Sequence, residues 1–191
     1  DDFKGLKFRM PGLGGEVLKT YGTTVVLLPG PDVVPSITSG TIDGTEWIGP
    51  AADLGKGLHQ VCKYYYYPGW HEPGTCLEAF VNLKAWNSLE NSLKRLLEMA
   101  FIKSNTYIAS EFFARNTYAM KRLKDDFNVS FVRYDNETLT SLKRRSDEVT
   151  FDLAQKDPLA KEIYSSIINF RELSMFWSNY SEKDFLDARS I

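Results

Sequence analysis

The 191-residue sequence has few of the side chains that bind metals through sulfur or imidazole. It contains two cysteines, Cys62 and Cys76, and two histidines, His59 and His71. Two cysteines cannot form a disulfide framework, and neither has the spacing or partners of a zinc site. One bridge in an oxidising compartment and two free buried thiols fit the sequence about equally well. The scarcity of histidine also disfavours histidine-based catalysis.

No sign of charge dominates, and no long apolar run is present. The 23 Lys and Arg residues nearly balance the 25 Asp and Glu residues, which gives a net charge of −2. That balance provides no basic surface for nucleic acid or an anionic membrane. The longest uncharged stretches, such as residues 21–31, are short and interrupted by Gly and Pro, so none is predicted to cross a bilayer. With 43% hydrophobic residues, the chain can still bury a core.

Glycine and proline are almost missing from the second part of the chain. All 13 glycines and seven of the eight prolines lie at or before Gly74, and only Pro158 follows. Before Gly74, strand and short-helix patterns alternate, which is typical of an α/β layer with parallel strands. Ligands of such sheets gather beyond the carboxyl ends of the strands. The predicted strands are 6–10, 23–28 and a strand carrying Glu46 and Trp47, and the predicted helices are 15–21 and 32–39.

After Gly74 the pattern becomes mainly helical. A helix over residues 88–126 would be roughly 58 Å long, which requires a kink, expected near 103–105, or the bracing of two domains. The apolar helix that follows Pro158 is expected to pack on another chain or on a part of the protein upstream of this sequence. The remaining predictions are strands at 64–67, 78–82 and 129–134 and a helix at 139–155 capped by Asp135.

A carboxylate and a large aromatic ring, Glu46 and Trp47, lie side by side between turn residues. Neighbouring strand residues point to opposite faces, so one of them could meet a ligand and the other the core. The alternative is a solvated carboxylate beside a core tryptophan. Arg9, at the end of the first strand, could pair with a ligand carboxylate or be a surface arginine. The glycine-rich run 12–15 matches no nucleotide-binding fingerprint and is interpreted as a tight turn into a helix.

Four consecutive tyrosines at 64–67 lead into a loop with Trp70, His71 and Glu72 between Pro and Gly residues. Aromatic rings with polar tips often line small-ligand pockets. His71 and Glu72 could also act in acid–base chemistry or bind a metal, although adjacent side chains diverge.

Residues 3–11, 39–47 and 63–74 together resemble the substrate-binding subunits of tripartite ATP-independent periplasmic (TRAP) transporters. The resemblance is greatest to the branch that binds 2-oxo acids together with a metal cation, and it extends to about Asp152. The four tyrosines followed by Pro-Gly-Trp-His form its most specific motif. The C-terminal helix is similar to the extra helix that this branch exchanges between the subunits of a dimer.

The resemblance implies an α/β, periplasmic-binding-protein-like two-lobed receptor, of which this chain is the C-terminal part without the first lobe. Residues 1–74 would form the second α/β lobe. Residues 75–135 would provide crossover strands and the long bracing helix. Residues 136–191 would form C-terminal helices, including the dimer-exchange helix.

The resemblance also implies a binding site with no catalytic residues. Arg9 matches the arginine that pairs with the ligand carboxylate. Glu46, through its carboxylate, and Trp47, through its backbone carbonyl, match the positions that hold Na⁺, or alternatively Ca²⁺, beside the ligand. Glu72 is a weaker candidate for the same cluster, and Trp70 would close an apolar wall. Oxygen ligands of this kind suit a hard cation.

The function expected from the resemblance is that of a periplasmic receptor, not an enzyme. It would bind a small carboxylate, in particular a 2-oxo acid such as pyruvate, close around it, and deliver it to the membrane subunits of the transporter. A homodimer through the C-terminal helix is expected, and no nucleic-acid partner. Two alternatives stay open: a sensory or dimerisation module that binds a ligand, and, less favoured, an enzyme that uses His71 and Glu72.

Overall fold

A computed structural model of the chain describes residues 2–74 and 77–190. Cys76, and with it the question of a Cys62–Cys76 bridge, lies outside the described residues. The chain divides into two compact units, Asp1–Leu139 and Thr140–Ile191. Within the described part, none of the helices has the length and apolar character needed to cross a membrane.

The first unit begins with a parallel three-stranded sheet. Its strands follow the order β2 (Thr24–Val26), β1 (Lys7–Arg9) and β3 (Gly44–Thr45), and Arg9 at the end of β1 is level with Val26 of β2 and Thr45 of β3. Apolar residues in the helices and in the segments next to the strands form the core here: Met10, Val17, Leu18, Val33 and Ile42. The elements are β1 (Lys7–Arg9), α1 (Gly12–Lys19), β2 (Thr24–Val26), α2 (Gly30–Thr38), β3 (Gly44–Thr45) and α3 (Pro50–Lys56). This alternation confirms the predicted α/β layer.

The order of these strands creates a crevice between β1 and β3. The chain passes from central β1 to β2 on one side, and then crosses to β3 on the other side of β1. In open parallel sheets, the point where successive connections diverge leaves a gap at the carboxyl ends of the strands, and ligands bind there. Arg9 and Glu46 lie at that gap.

A second, two-stranded parallel sheet pairs β4 (Tyr64–Tyr67) with β5 (Ser130–Arg133). A short 3-10 helix, Leu58–Gln60, precedes β4. The predicted strand at 78–82 is wrong, because these residues lead into a helix, α4 (Leu83–Ser88). The Asn82 side chain caps that helix by accepting a hydrogen bond from the Ala85 amide at 3.1 Å.

The long predicted helix is confirmed as α5 (Asn91–Asp125), with 35 residues. Residues 103–105, where we expected a kink, are helical like their neighbours. The C-terminal half of α5 buries Ala119 and Leu123. Asn116 Oδ1 of α5 accepts a hydrogen bond from the Ala51 amide at 2.9 Å, and α3 is thereby fixed against α5.

The helices α6 (Asn136–Ala154), α7 (Pro158–Ser178) and α8 (Glu182–Ala188) complete the chain, and the second unit begins within α6. As predicted, Asp135 caps α6, with Oδ1 2.6 Å from the Thr138 amide. Arg171 Nη1 of α7 lies 2.9 Å from Asp147 Oδ1 of α6. Within this unit α7 exposes many large apolar side chains: Leu159, Ile163, Ile167, Phe170, Leu173, Phe176, Trp177 and, just beyond its end, Tyr180.

Candidate functional site

Arg9 joins the carboxyl ends of the three-stranded sheet. Its Nε donates a hydrogen bond to the Leu28 carbonyl at 3.4 Å, beyond the end of β2. Its Nη1 donates to the Glu46 carbonyl at 3.1 Å and makes a short contact with Glu46 Oε1, beyond the end of β3. The Arg9 side chain is only 12% exposed. Arg9 therefore lies in the crevice of the sheet, and the alternative of a surface arginine is wrong.

Glu46 is a partly buried carboxylate with a positively charged neighbour. Its side chain is 12% exposed, with Oε1 against Arg9 and Oε2 3.5 Å from Nε2 of His71. The expected strand carrying Glu46 and Trp47 is wrong in its boundary, because β3 ends at Thr45. One further hydrogen bond, from the Glu46 amide to the Arg9 carbonyl at 3.1 Å, keeps Glu46 beside β1. Glu46 is therefore not the solvated carboxylate of the alternative interpretation.

The Trp47 ring packs on the first turn of α2 and lies near two cations. A Cβ placed on Gly30 would lie 2.8 Å from Trp47 Cη2, so only glycine permits this approach. Arg9 Cζ lies 5.1 Å and Lys56 Nζ 5.4 Å from the ring centroid, within the range of cation–π attraction. We expected Glu46 and Trp47 to point to opposite faces, but both border Arg9. Strand alternation does not apply here because the chain has already left β3.

The loop after β4 brings His71, and not Glu72, to Glu46. The Trp70 ring lies edge-on to the His71 ring, with centroids 5.3 Å apart. Against α1, a Cβ on Gly14 would lie 3.1 Å from His71 Cβ. His71 Nδ1 is buried and has no hydrogen-bond partner among the described residues. Glu72 is exposed.

The glycine-rich run before Val17 has a different role from the predicted one. We interpreted residues 12–15 as a tight turn, but they form the first turn of α1, which begins at Gly12. A Cβ on Gly15 would lie 2.4 Å from the Met10 carbonyl oxygen. Glycine therefore lets this turn pack closely on the end of β1, next to the loop that carries His71.

The site has two kinds of oxygen that suit a hard cation. The Glu46 carboxylate is one, and the adjacent Trp47 carbonyl, to which no described residue donates a hydrogen bond, is the other. Na⁺ and Ca²⁺ prefer such oxygens, and Ca²⁺ takes six to eight of them. No group of three His, Cys, Asp or Glu side chains within residues 2–74 and 77–190 is arranged to hold a metal. These two residues thus fit part of a coordination shell.

A buried carboxylate, Asp53, holds the loop that follows Glu46, and its role was not among the predictions from the sequence. Asp53 is 7% exposed. Its Oδ1 accepts hydrogen bonds from the amides of Ile48 at 3.3 Å and Gly49 at 3.1 Å, and its Oδ2 accepts one from the Tyr65 hydroxyl at 2.5 Å. This anchor ties the loop to α3 and to β4. The signal was available, because an acidic residue in the first turn after Gly-Pro often satisfies amides at a helix start.

Burial dominates the protonation properties around Asp53. It raises the pKa of the Asp53 carboxyl, against the hydrogen bonds from Tyr65, Gly49 and Ile48, which lower it. The negative charge of Glu46 adds a smaller upward contribution. Burial, followed by the charge of Asp53, also raises the pKa of the Tyr65 hydroxyl and of the Cys62 thiol. The Tyr65 hydroxyl is therefore held in its protonated form, as the donor that Asp53 needs.

Comparison with known proteins identifies the family. Residues 1–157 match DctP, the bacterial extracellular solute-binding protein family 7. The chain is 35% identical over 184 residues to a monocarboxylate 2-oxoacid-binding periplasmic protein from Nostoc sp.. That alignment covers 96% of this chain and 50% of the Nostoc protein, so the chain spans about half the length of this relative.

Three solved TRAP solute-binding proteins have closely similar folds. The protein from Colwellia psychrerythraea, with bound calcium and pyruvate, has a TM-score of 0.93 and 35% identity over 98% of this chain and 57% of its own. The Bordetella bronchiseptica protein, a mixed-occupancy dimer with calcium and picolinate, has a TM-score of 0.92 and 31% identity, covering 99% and 56%. The Pseudoalteromonas atlantica protein, with sodium and pyruvate, has a TM-score of 0.90 and 32% identity, covering 97% and 56%.

These matches agree with the resemblance found in the sequence, including its α/β fold. The chain belongs to the family 7 bacterial extracellular solute-binding proteins, the solute receptors of TRAP transporters.

Proposed function

We propose that the protein is a periplasmic receptor that binds a small 2-oxo acid such as pyruvate together with a cation. The observation that carries this proposal is the partly buried pair of Arg9 and Glu46 in the crevice between β1 and β3. That position is where parallel sheets bind ligands, and it holds one group for an anion and one for a cation. Similar proteins with bound pyruvate and calcium or sodium support the assignment of the ligand class.

Each candidate residue has a defined task in this proposal. The Arg9 guanidinium pairs with the ligand carboxylate, since its planar fork matches a carboxylate. Glu46 and the Trp47 carbonyl hold Na⁺ or Ca²⁺, whose positive charge attracts the carboxylate and keto oxygens of the ligand. Glu72, which is exposed in this structure, is the weaker candidate for the cation, and Trp70 provides an apolar wall.

The receptor works by closing around its ligand, and no covalent bond is made or broken. Residues 1–74 form the second lobe, residues 75–135 the crossover segment with the bracing helix, and residues 136–191 the C-terminal helices. The boundary between compact units at Leu139 supports the last of these divisions. Ligand binding favours the closed arrangement of the lobes, and the closed receptor delivers its ligand to the membrane subunits of the transporter.

Ligand specificity tests this function directly. The receptor, expressed from its complete gene, is titrated by calorimetry in sodium-containing buffer with pyruvate, propionate and pyruvamide. Pyruvate should bind more tightly than propionate, which lacks the keto oxygen, and than pyruvamide, which lacks the carboxylate. Equal binding of all three compounds, or of none, contradicts the proposed ligand class.

We also propose that α7 packs against a second copy of the protein. Its exposed apolar residues recur every three or four positions, which places a hydrophobic stripe along the helix. The dimeric relative from Bordetella bronchiseptica supports a second copy as the partner. Sedimentation of the full receptor should show a dimer, and the double substitution Phe170→Glu and Leu173→Glu should give a folded monomer. A wild-type monomer at micromolar concentration contradicts this proposal.

A further inference from the structure

Arg9 and Glu46 form an ion pair with each other, although the proposed function assigns them to ligands of opposite charge. Arg9 is assigned to the ligand carboxylate, and Glu46 is assigned to the cation. In this structure, however, Arg9 Nη1 contacts Glu46 Oε1 and lies 3.1 Å from the Glu46 carbonyl. Each side chain is only 12% exposed, so water screens the pair only partly. The anion site and the cation site therefore satisfy each other.

The charges of this pair determine what the site can accept. The guanidinium and the carboxylate sum to zero. A cation bound alone at Glu46 would leave a net positive charge in a poorly hydrated crevice, and a carboxylate bound alone at Arg9 would leave a net negative charge. Unpaired charge is unfavourable where water is largely excluded. A carboxylate bound together with Na⁺ restores the zero sum, and bound together with Ca²⁺ it halves the excess positive charge.

The two oxygens of Glu46 differ in what a cation must displace. Oε1 is held by Arg9, whereas Oε2 lies 3.5 Å from His71 Nε2, which is too long for a strong hydrogen bond. A cation can approach Oε2 first and then draws the carboxylate away from Arg9. The guanidinium loses part of its counter-charge in that step, and a ligand carboxylate can replace it.

We propose that the Arg9–Glu46 pair stands in for the two bound ions, so that the cation and the carboxylate bind together and each binds only weakly alone. The inference rests on the proposed function and adds to it a reciprocal coupling between the two ligands. By linkage, the factor by which the cation tightens carboxylate binding equals the factor by which the carboxylate tightens cation binding.

Calorimetry on the receptor expressed from its complete gene tests the coupling in four titrations. In sodium-free buffer at pH 8, pyruvate is titrated with and without Ca²⁺, and Ca²⁺ is titrated with and without pyruvate. Each ion should bind about 100-fold more tightly in the presence of the other, near the upper end of typical coupling factors. Independent binding, with the same affinities alone and together, overturns the proposal.

Two substitutions distinguish a stand-in ion pair from simple chelation of the cation by the protein and the ligand together. Glu46→Gln removes the internal partner of Arg9, so pyruvate without Ca²⁺ should bind about tenfold more tightly than to the wild-type protein. Arg9→Gln removes the internal partner of Glu46, so Ca²⁺ without pyruvate should gain about tenfold in affinity. In both variants the effect of one ion on the other should disappear. Loss of binding without either gain contradicts the stand-in role.

A matched control breaks an exposed ion pair outside the site. Glu16→Gln removes the pair with Lys19, whose side chains are 2.7 Å apart and each 51% exposed, and it should leave all four affinities unchanged. Circular dichroism checks that each variant is folded. If a variant is not folded, the four wild-type titrations still test the coupling between the cation and the carboxylate. If the wild-type protein binds no pyruvate under any condition, the proposed function fails. Even in that case, the Ca²⁺ affinity of the Arg9→Gln variant shows whether Arg9 acts as the internal partner of Glu46.

Discussion

Two carboxylates that are largely shielded from water, Glu46 and Asp53, lie seven positions apart and have different partners. Glu46 faces a guanidinium and an imidazole. Asp53 accepts hydrogen bonds from two backbone amides and one hydroxyl, and it has no ion-pair partner among the described residues. The partners of Glu46 are side chains that can be exchanged for other ions. The partners of Asp53 belong to the backbone and to a neighbouring strand, and replacing them would disrupt the fold.

Shielding a carboxylate from water can therefore serve either ligand binding or structure. A charged pair at the mouth of a sheet crevice can separate when outside ions replace its partners. A carboxylate that satisfies helix-start amides keeps a loop in one conformation, because those amides have no other acceptor. We therefore assign ligand recognition to the Arg9–Glu46 pair and positioning of the loop at 46–49 to Asp53.

The largest expected effect on binding comes from Arg9→Lys. Lysine keeps the positive charge but cannot make the two parallel hydrogen bonds of a guanidinium. Pyruvate affinity measured with Na⁺ present should fall by roughly 100-fold, equivalent to about 3 kcal/mol. The melting temperature should change little. A variant with wild-type affinity would contradict the assignment of Arg9 to the ligand carboxylate.

The corresponding change at the structural carboxylate is Asp53→Ala. It leaves the Ile48 and Gly49 amides and the Tyr65 hydroxyl without their acceptor, which should lower the free energy of unfolding by about 2–3 kcal/mol. Urea denaturation measures that loss. Asp53→Asn, which keeps an acceptor oxygen, should cost less. If the alanine variant lost ligand affinity with unchanged stability, the roles of the two carboxylates would have to be exchanged.

The contact between Gly30 and Trp47 is expected to hold the Trp47 ring in the binding loop. Gly30→Ala places a methyl group 2.8 Å from the Trp47 ring, and such overpacking should cost about 1–3 kcal/mol of stability. Gly55→Ala in α3 is the control, because an added Cβ there meets nothing within 4 Å. The control should be neutral or slightly stabilising. Equal melting temperatures for both variants would show that the Trp47 ring is not held by this contact.

The smallest expected effect is a pH dependence that belongs to Asp53. Its pKa is raised mainly by burial, so the folded protein holds this proton more tightly than the unfolded chain does. The resulting stabilisation is complete below the unfolded pKa of about 3.9 and is lost as the pH rises through the folded value. Denaturation at several pH values should therefore show wild-type stability declining relative to Asp53→Asn over this window. A rise instead would mean that hydrogen bonding outweighs burial.

Local patterns in the sequence were sufficient for much of the fold. Turn residues and β-branched or aromatic runs located β1, β2, β4 and β5, and helical spacing located α5. Parallel pairing then required Arg9 and the region of Glu46 to meet at one edge of the sheet. The run at 78–82 has a strand-like composition, yet Asn82 caps a helix and no described strand pairs with these residues. Composition alone could not reveal the missing pairing partner.

The rest of the site depends on contacts between distant parts of the chain. His71 reaches Glu46 where Gly14, in the first turn of α1, leaves room for the His71 Cβ. The Tyr65 hydroxyl, from β4 of the second sheet, reaches Asp53 in α3. Neither contact has a sequence spacing that predicts it. The position of the Trp47 ring likewise follows from the end of β3 at Thr45, and strand ends are the least predictable part of an element.

The most direct test of the central claim is the affinity of the complete receptor for pyruvate in buffers that differ only in Na⁺. We expect calorimetry to show strong binding with Na⁺ and roughly 100-fold weaker binding when choline replaces it. The same affinity in both buffers would contradict the proposed role of Glu46, because no cation held by Glu46 would then take part in binding the carboxylate.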